Sequence, residues 1–119
     1  MTSGQNSFPK DERLKRSEDF RRIVRNSRTV REGGVALYWS AKEMEDKSRF
    51  GVLVSRKALR RAVDRNRAKR IAREFFRMNK KFFSQKGDFI IRIVDGRLLE
   101  SKNLNTILSE LFNRAKILN

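Results

Sequence analysis

The stretch RAVDRNRAKRIAREFFR, residues 61 to 77, sorts its side chains by kind, and that sorting constrains its conformation. At roughly 100° per residue, the turn of an α-helix, Ala68, Ile71, Ala72 and Phe75 fall in one stripe with Phe76 on its edge. Lys69, Arg73, Asn66, Arg77 and Arg70 fall on the opposite side, flanked by Arg65 and Arg67. Such a helix docks on a core through the stripe and presents its basic face outward. A loose polybasic tail has no reason to keep apolar groups at helical spacing. A solvated face with pairs such as Arg70 to Glu74 is the competing reading, but two acids do not balance the seven cations of the segment.

The same imbalance marks the whole chain, with 30 Lys and Arg against 14 Asp and Glu and a net charge of +16 in 119 residues. Self-repulsion of this kind opposes compaction and a polyanion relieves it, so nucleic acid is the expected partner. The length suits one domain with a modest core. An acidic membrane is the alternative, but runs such as Val52 to Val54 and Phe89 to Ile91 fall far short of the roughly 20 residues that span a bilayer. The N-terminal stretch MTSGQNSFPKDERLKR has no signal-like apolar run. The expectation is a cytoplasmic protein with no membrane partner and no evident obligatory protein partner.

Cysteine and histidine are both absent, which removes disulfides, thiolate nucleophiles, Cys or His zinc sites and histidine bases. Glu43, Glu45 and Asp46 in KEMEDKS are conceivable magnesium ligands, and a charged turn between strands accounts for them equally well. The glycines are scattered, so no Gly-rich phosphate loop is present. No catalytic side chains, protein-held metal or firmly bound cofactor are expected.

Along the chain, residues 1–12 read as a flexible basic arm and 13–119 as a single nucleic-acid-binding domain. Ser17 can cap a first helix in which Phe20, Ile23 and Val24 share a face, and Arg28 to Gly34 is read as its end. VALYWS alternates as a strand, and RFGVLVS is a second strand whose apolar run suggests burial on both faces. The basic helix follows, then the strand FIIRIV. A final helix carries Leu104, Ile107, Leu108, Leu111, Phe112 and Ala115 on one side, with Ser101 or Asn103 as cap. The order α, β, β, α, β, α, with room for one short extra strand, describes an α+β two-layer sandwich.

Four stretches in this order, LKRSEDF, VALYWS, RFGVLVSRK and AVDRNRAKRIARE, resemble the protein subunit of bacterial ribonuclease P. The last contains that family's Arg-Asn-Arg signature as Arg65, Asn66 and Arg67, followed by Lys69, Arg70 and Arg73. The resemblance implies a mixed sheet of about four strands with three or four helices and a left-handed βαβ crossover, as in the second domain of ribosomal protein S5. It implies that a partner RNA cleaves precursor tRNA with magnesium, while the protein binds that RNA and holds the single-stranded 5′ leader in a cleft between the first helix and the sheet.

On residue type, the signature helix suits RNA backbone read by bidentate arginines, and an aromatic floor with cationic walls suits a single strand. The leader candidates are Phe20 and Tyr38 as floor with Arg13, Lys15 and Arg16 at the entrance; Phe20 as a core residue pinning the helix, and Tyr38 as a half-buried strand residue, fit the same positions. Lys57, Arg60 and Arg61 are auxiliary candidates. Two departures from the family pattern stand out: Val24 replaces a second aromatic one turn beyond Phe20, and the loop SRKALRRAV is one residue longer and lacks glycine. A general basic RNA-binding or ribosomal protein, and a nuclease acting alone through Glu43, Glu45 and Asp46, are the competing functions.

Overall fold

The computed structural model describes residues 13–14, 17–41, 48–96 and 103–117. The expected arm, Lys15, Arg16, Ser101 and the carboxylates Glu43, Glu45 and Asp46 lie outside them. The chain runs α1 (Ser17–Asn26), β1 (Arg28–Glu32), β2 (Val35–Ala41), β3 (Arg49–Val54), α2 (Ala62–Asn79), a 3-10 turn (Lys80–Phe82), β4 (Gly87–Ile93) and α3 (Leu104–Arg114). The strands form one mixed sheet in the order β1-β2-β4-β3, with β3 and β4 parallel and the other pairs antiparallel. α2 joins the two parallel neighbours. The α+β sandwich expected from the sequence is the fold observed.

β1 occupies residues that the sequence reading gave to the tail of the first helix. Arg28 to Glu32 pair with Trp39 to Val35 across a Gly33–Gly34 turn, with Gly33 at φ 58°. A two-glycine loop of this kind closes a tight hairpin with the natural strand twist. RTVRE hides as a strand because Val30 is its one apolar residue. Gly34 has no room for a side chain, since a Cβ there would collide with Asp95, and its carbonyl accepts the Val94 N–H at 2.8 Å.

Strand alternation gives the sheet two faces. Leu37, Trp39, Phe50, Val52, Phe89 and Ile91 face α2 and α3 and form the larger buried cluster with Phe75, Phe76 and Phe112. Phe50 stacks on Phe76 with ring centroids 4.7 Å apart, and Phe83 stacks on Phe112 at 5.0 Å. α3 starts where the Asn103 side chain accepts the Thr106 N–H at 2.8 Å, the cap expected from the sequence.

The other face carries a smaller cluster of Leu14, Ile23, Ala36, Tyr38 and Ile90, with Phe20, Val24 and Leu53 half-buried around it. α1 reaches this face through Gly51, where a Cβ would lie 2.5 Å from the Phe20 ring and 3.0 Å from Leu14 Cβ. A bare backbone at Gly51 is what admits the aromatic ring.

β3 is not buried on both faces along its length. It is an edge strand with Leu53 and Val54 half-buried, and the Leu14 N–H donates to its Phe50 carbonyl at 2.9 Å. This contact partly covers an edge that would otherwise be open for pairing. It also fixes Arg13 beside the sheet. Asp88, 2% exposed, receives a two-pronged bond from Arg49 Nε and Nη2 at 2.9 and 3.0 Å, so the charge buried at the start of β4 is paired.

Candidate nucleic-acid interface

The glycine-free loop before α2 is ordered by side chains. Ser55 opens it: the Ala58 N–H donates to Ser55 Oγ at 2.9 Å, and the Leu59 N–H to the Ser55 carbonyl at 3.2 Å. Arg65 then closes it from the first turn of α2, with Nη1 donating to the carbonyls of Leu59 at 2.9 Å and Arg60 at 2.8 Å. Arg65 therefore braces the loop against the helix, which its place in the signature did not suggest. Arg60 and Lys57 are exposed along this loop, and Arg61, at the helix N-cap, bonds Asp64 through Nε at 2.8 Å.

Beyond the first turn, the helix presents its basic face to a groove of about 450 Å³ lined by Arg13, Asn66, Lys69, Arg70, Arg73, Glu74 and Arg77. Arg13 belongs to this groove because its neighbour Leu14 is tied to β3, and the Phe50 ring on that strand stacks on α2 itself. The structure thus places Arg13 with the signature residues, whereas the sequence reading put it at the leader cleft. Glu74 pairs with Arg77 through Nε at 3.1 Å and through Nη2, not with Arg70. Arg67 faces away, into a second recess shared with Ile71 of α2 and Asn103 and Leu104 of α3.

On the far side of the sheet, strand register arranges a second surface. One row across the sheet reads Thr29, Tyr38, Ile90, Gly51, with Phe20 over Gly51. Tyr38 is 6% exposed, so its ring belongs to the buried cluster, and its hydroxyl accepts from Arg31 Nη2 at 3.4 Å. Phe20 stays half-buried at the margin. The next row reads Arg31, Ala36, Arg92, Leu53 and puts two exposed arginines on the same face. Sequence reasoning named neither. Arg92 was accessible to it, since alternation in FIIRIV sets Arg92 on the face of Ile90, whereas Arg31 was hidden by the reading of its segment as a helix end.

The chain has no histidine or cysteine, the side chains whose ordinary pKa values lie nearest neutrality. The bond from Arg61 holds the Asp64 carboxyl below its ordinary range, and the bond from Arg77 does the same for Glu74. A lowered carboxylate favours the folded state above its unfolded pKa near 4, and that contribution disappears as pH falls through the lowered value. RNA affinity measured by filter binding is therefore expected to be flat from pH 8 to 6, and stability measured by melting to be flat over the same range and to fall only below about pH 4. A step between pH 6 and 8 traced to a side chain would contradict this.

The family model described as "Ribonuclease P" matches residues 8–116. The chain belongs to the ribonuclease P protein family. It is similar to the ribonuclease P protein component of Desulforapulum autotrophicum, 36% identical over 108 residues that cover 91% of this chain and 89% of the relative. In three dimensions it is similar to the Staphylococcus aureus RNase P protein, with TM-score 0.79, 28% identity and coverage of 91% and 98%. The Thermotoga maritima RNase P protein aligns with TM-score 0.68 at 26% identity, covering 87% and 94%. By family membership the chain is a ribonuclease P protein component.

Within this ribonuclease P protein, the sequence-named residues are therefore divided. Asn66, Lys69, Arg70 and Arg73 converge on one groove with Arg13 and Arg77, Arg65 braces the loop, and Arg67 lies on the α3 side. Phe20 and Tyr38 lie on the opposite sheet face, where Arg31 and Arg92 supply positive charge.

Proposed function

We propose that the chain binds the catalytic RNA through the α2 groove and the single-stranded 5′ leader of precursor tRNA on the α1 face of the sheet, assisting leader removal without supplying catalytic side chains. The observation that carries this reading is the pair of basic surfaces on opposite sides of one sheet. The groove offers several arginine forks and an amide to phosphates and sugar hydroxyls, which suits folded RNA. The other surface has a half-exposed aromatic edge at Phe20, the Tyr38 hydroxyl, and Arg31 and Arg92 alongside, which suits stacked bases and a charged backbone. Magnesium would serve the RNA, which would hydrolyse the phosphodiester bond between leader and tRNA; the protein's share is binding and orientation.

The test is a cleavage assay with purified protein, purified catalytic RNA and their mixture. Protein alone should be inert, and in the mixture the RNA should need less magnesium or less substrate. Cleavage by the protein alone would support a nuclease, and a mixture no better than RNA alone would favour a general RNA-binding protein. If the basic surface of α2 and its flanks neutralises five to seven phosphates, log affinity against log salt should have a slope of about −4 to −6. A slope shallower than about −2 would mean that the basic face is merely solvated.

A further inference from the structure

Four large apolar side chains are substantially exposed among the described residues, and two of them, Met78 at 42% and Phe82 at 53%, lie one turn apart at the end of α2. The turn that carries Phe82 runs on directly from α2 and is anchored just after that residue. Phe83 points inward and packs its ring on Phe76, Phe89 and Phe112 with centroids 5.0 to 5.7 Å away. Ser84 donates its N–H to the Ile117 carbonyl at 2.7 Å and its hydroxyl to the Lys116 carbonyl at 2.8 Å. Phe82 is thus held out in solvent by a fixed backbone and is not the tip of a loose loop.

Its surroundings are cationic. Lys81 Nζ lies 5.3 Å from the Phe82 ring centroid, over one face of the ring. Arg77, which lines the α2 groove, reaches Met78 Sδ with Nη2 at 3.2 Å, so this patch continues the groove. An aromatic face beside an ammonium group matches one nucleotide, whose base stacks on the ring and whose phosphate takes the charge. A second copy of the chain, itself carrying +16, matches such a patch poorly.

We propose that Phe82, with Lys81 and Met78, is a stacking platform for one unpaired nucleobase of the ribonuclease P RNA, beyond the end of the α2 groove. This rests on the reading that α2 docks that RNA. A Phe82→Trp variant in a Trp39→Phe background places its single indole at the platform, where stacking on a base quenches fluorescence. Saturating catalytic RNA should remove at least roughly half of the emission, and Phe82→Ala should weaken RNA binding roughly 5- to 100-fold while Phe82→Trp does not. Equal affinity of Phe82→Ala and parent, with the parent binding normally, overturns the platform alone. Failure of the parent to bind the RNA overturns the reading of α2 as well. Quenching by precursor tRNA alone, or by raising protein concentration without RNA, assigns the patch to the substrate or to a second copy and overturns the proposal.

Discussion

Replacing Lys69, Arg70 and Arg73 together by alanine should weaken association with the catalytic RNA by roughly 10²- to 10⁴-fold while leaving the protein folded. All three line the groove, and their positions on α2 are neither helix caps nor core. A charge-assisted hydrogen bond is worth roughly 1.5 to 3 kcal/mol, and neighbouring contacts do not add fully, so about 3 to 6 kcal/mol is expected for the three. The salt slope should become shallower by about 2 to 3, since each neutralised phosphate contributes about 0.7 to 0.9. Alanine at these positions, none of them buried, also favours the helix, so melting should change little. Affinity retained within a factor of about three in gel shifts at fixed salt would remove α2 from the interface.

Phe76→Ala is expected to have the largest effect on stability, about 3 to 5 kcal/mol by denaturant titration, out of a total of about 5 to 15 for a domain of this kind. Phe76 is fully buried, stacked on Phe50 and edge-on to Phe83 at 5.7 Å. Truncation loses these contacts and leaves a cavity between α2 and β3. The stack also has a positional role, because Phe50 holds α2 through its ring and the segment of Arg13 through its carbonyl. Phe76→Leu, which refills most of the volume, should recover much of the stability. A loss below about 1 kcal/mol for Phe76→Ala would mean that the core closes over the gap and that the stack does not hold α2 in place.

Where side-chain pattern alone determines structure, the sequence was sufficient. Of the stripes that spacing predicts, Ala68, Ala72, Phe75 and Phe76 on α2 and Leu104, Ile107, Leu108, Leu111 and Phe112 on α3 are buried, Ile71 and Ala115 lie half-buried at their margins, and Asn103 caps α3. Relations between distant segments were not legible in this way. Nothing local in RFGVLVS reveals that β4 separates it from β2, making it an edge strand, and nothing near Arg13 reveals that Leu14 bonds Phe50. Arg65 has the chemistry of a phosphate ligand, and only the turn of the preceding loop brings two carbonyls within its reach. The hairpin at Gly33–Gly34 was legible in principle, since two glycines between short segments signal a tight turn, but the polar composition of RTVRE masked its first strand.

The central claim, that opposite sheet faces hold different RNAs, is tested most directly by Phe20→Ala. The variant, shown by circular dichroism and melting to be folded, is assembled with the catalytic RNA, and its affinity is measured for tRNA with and without a 5′ leader. Loss of one stacked base should cost about 1 to 3 kcal/mol for the leader-bearing substrate and almost nothing for mature tRNA, with assembly on the catalytic RNA unchanged. An equal loss for both substrates, or a loss confined to assembly, would contradict the division of the two surfaces.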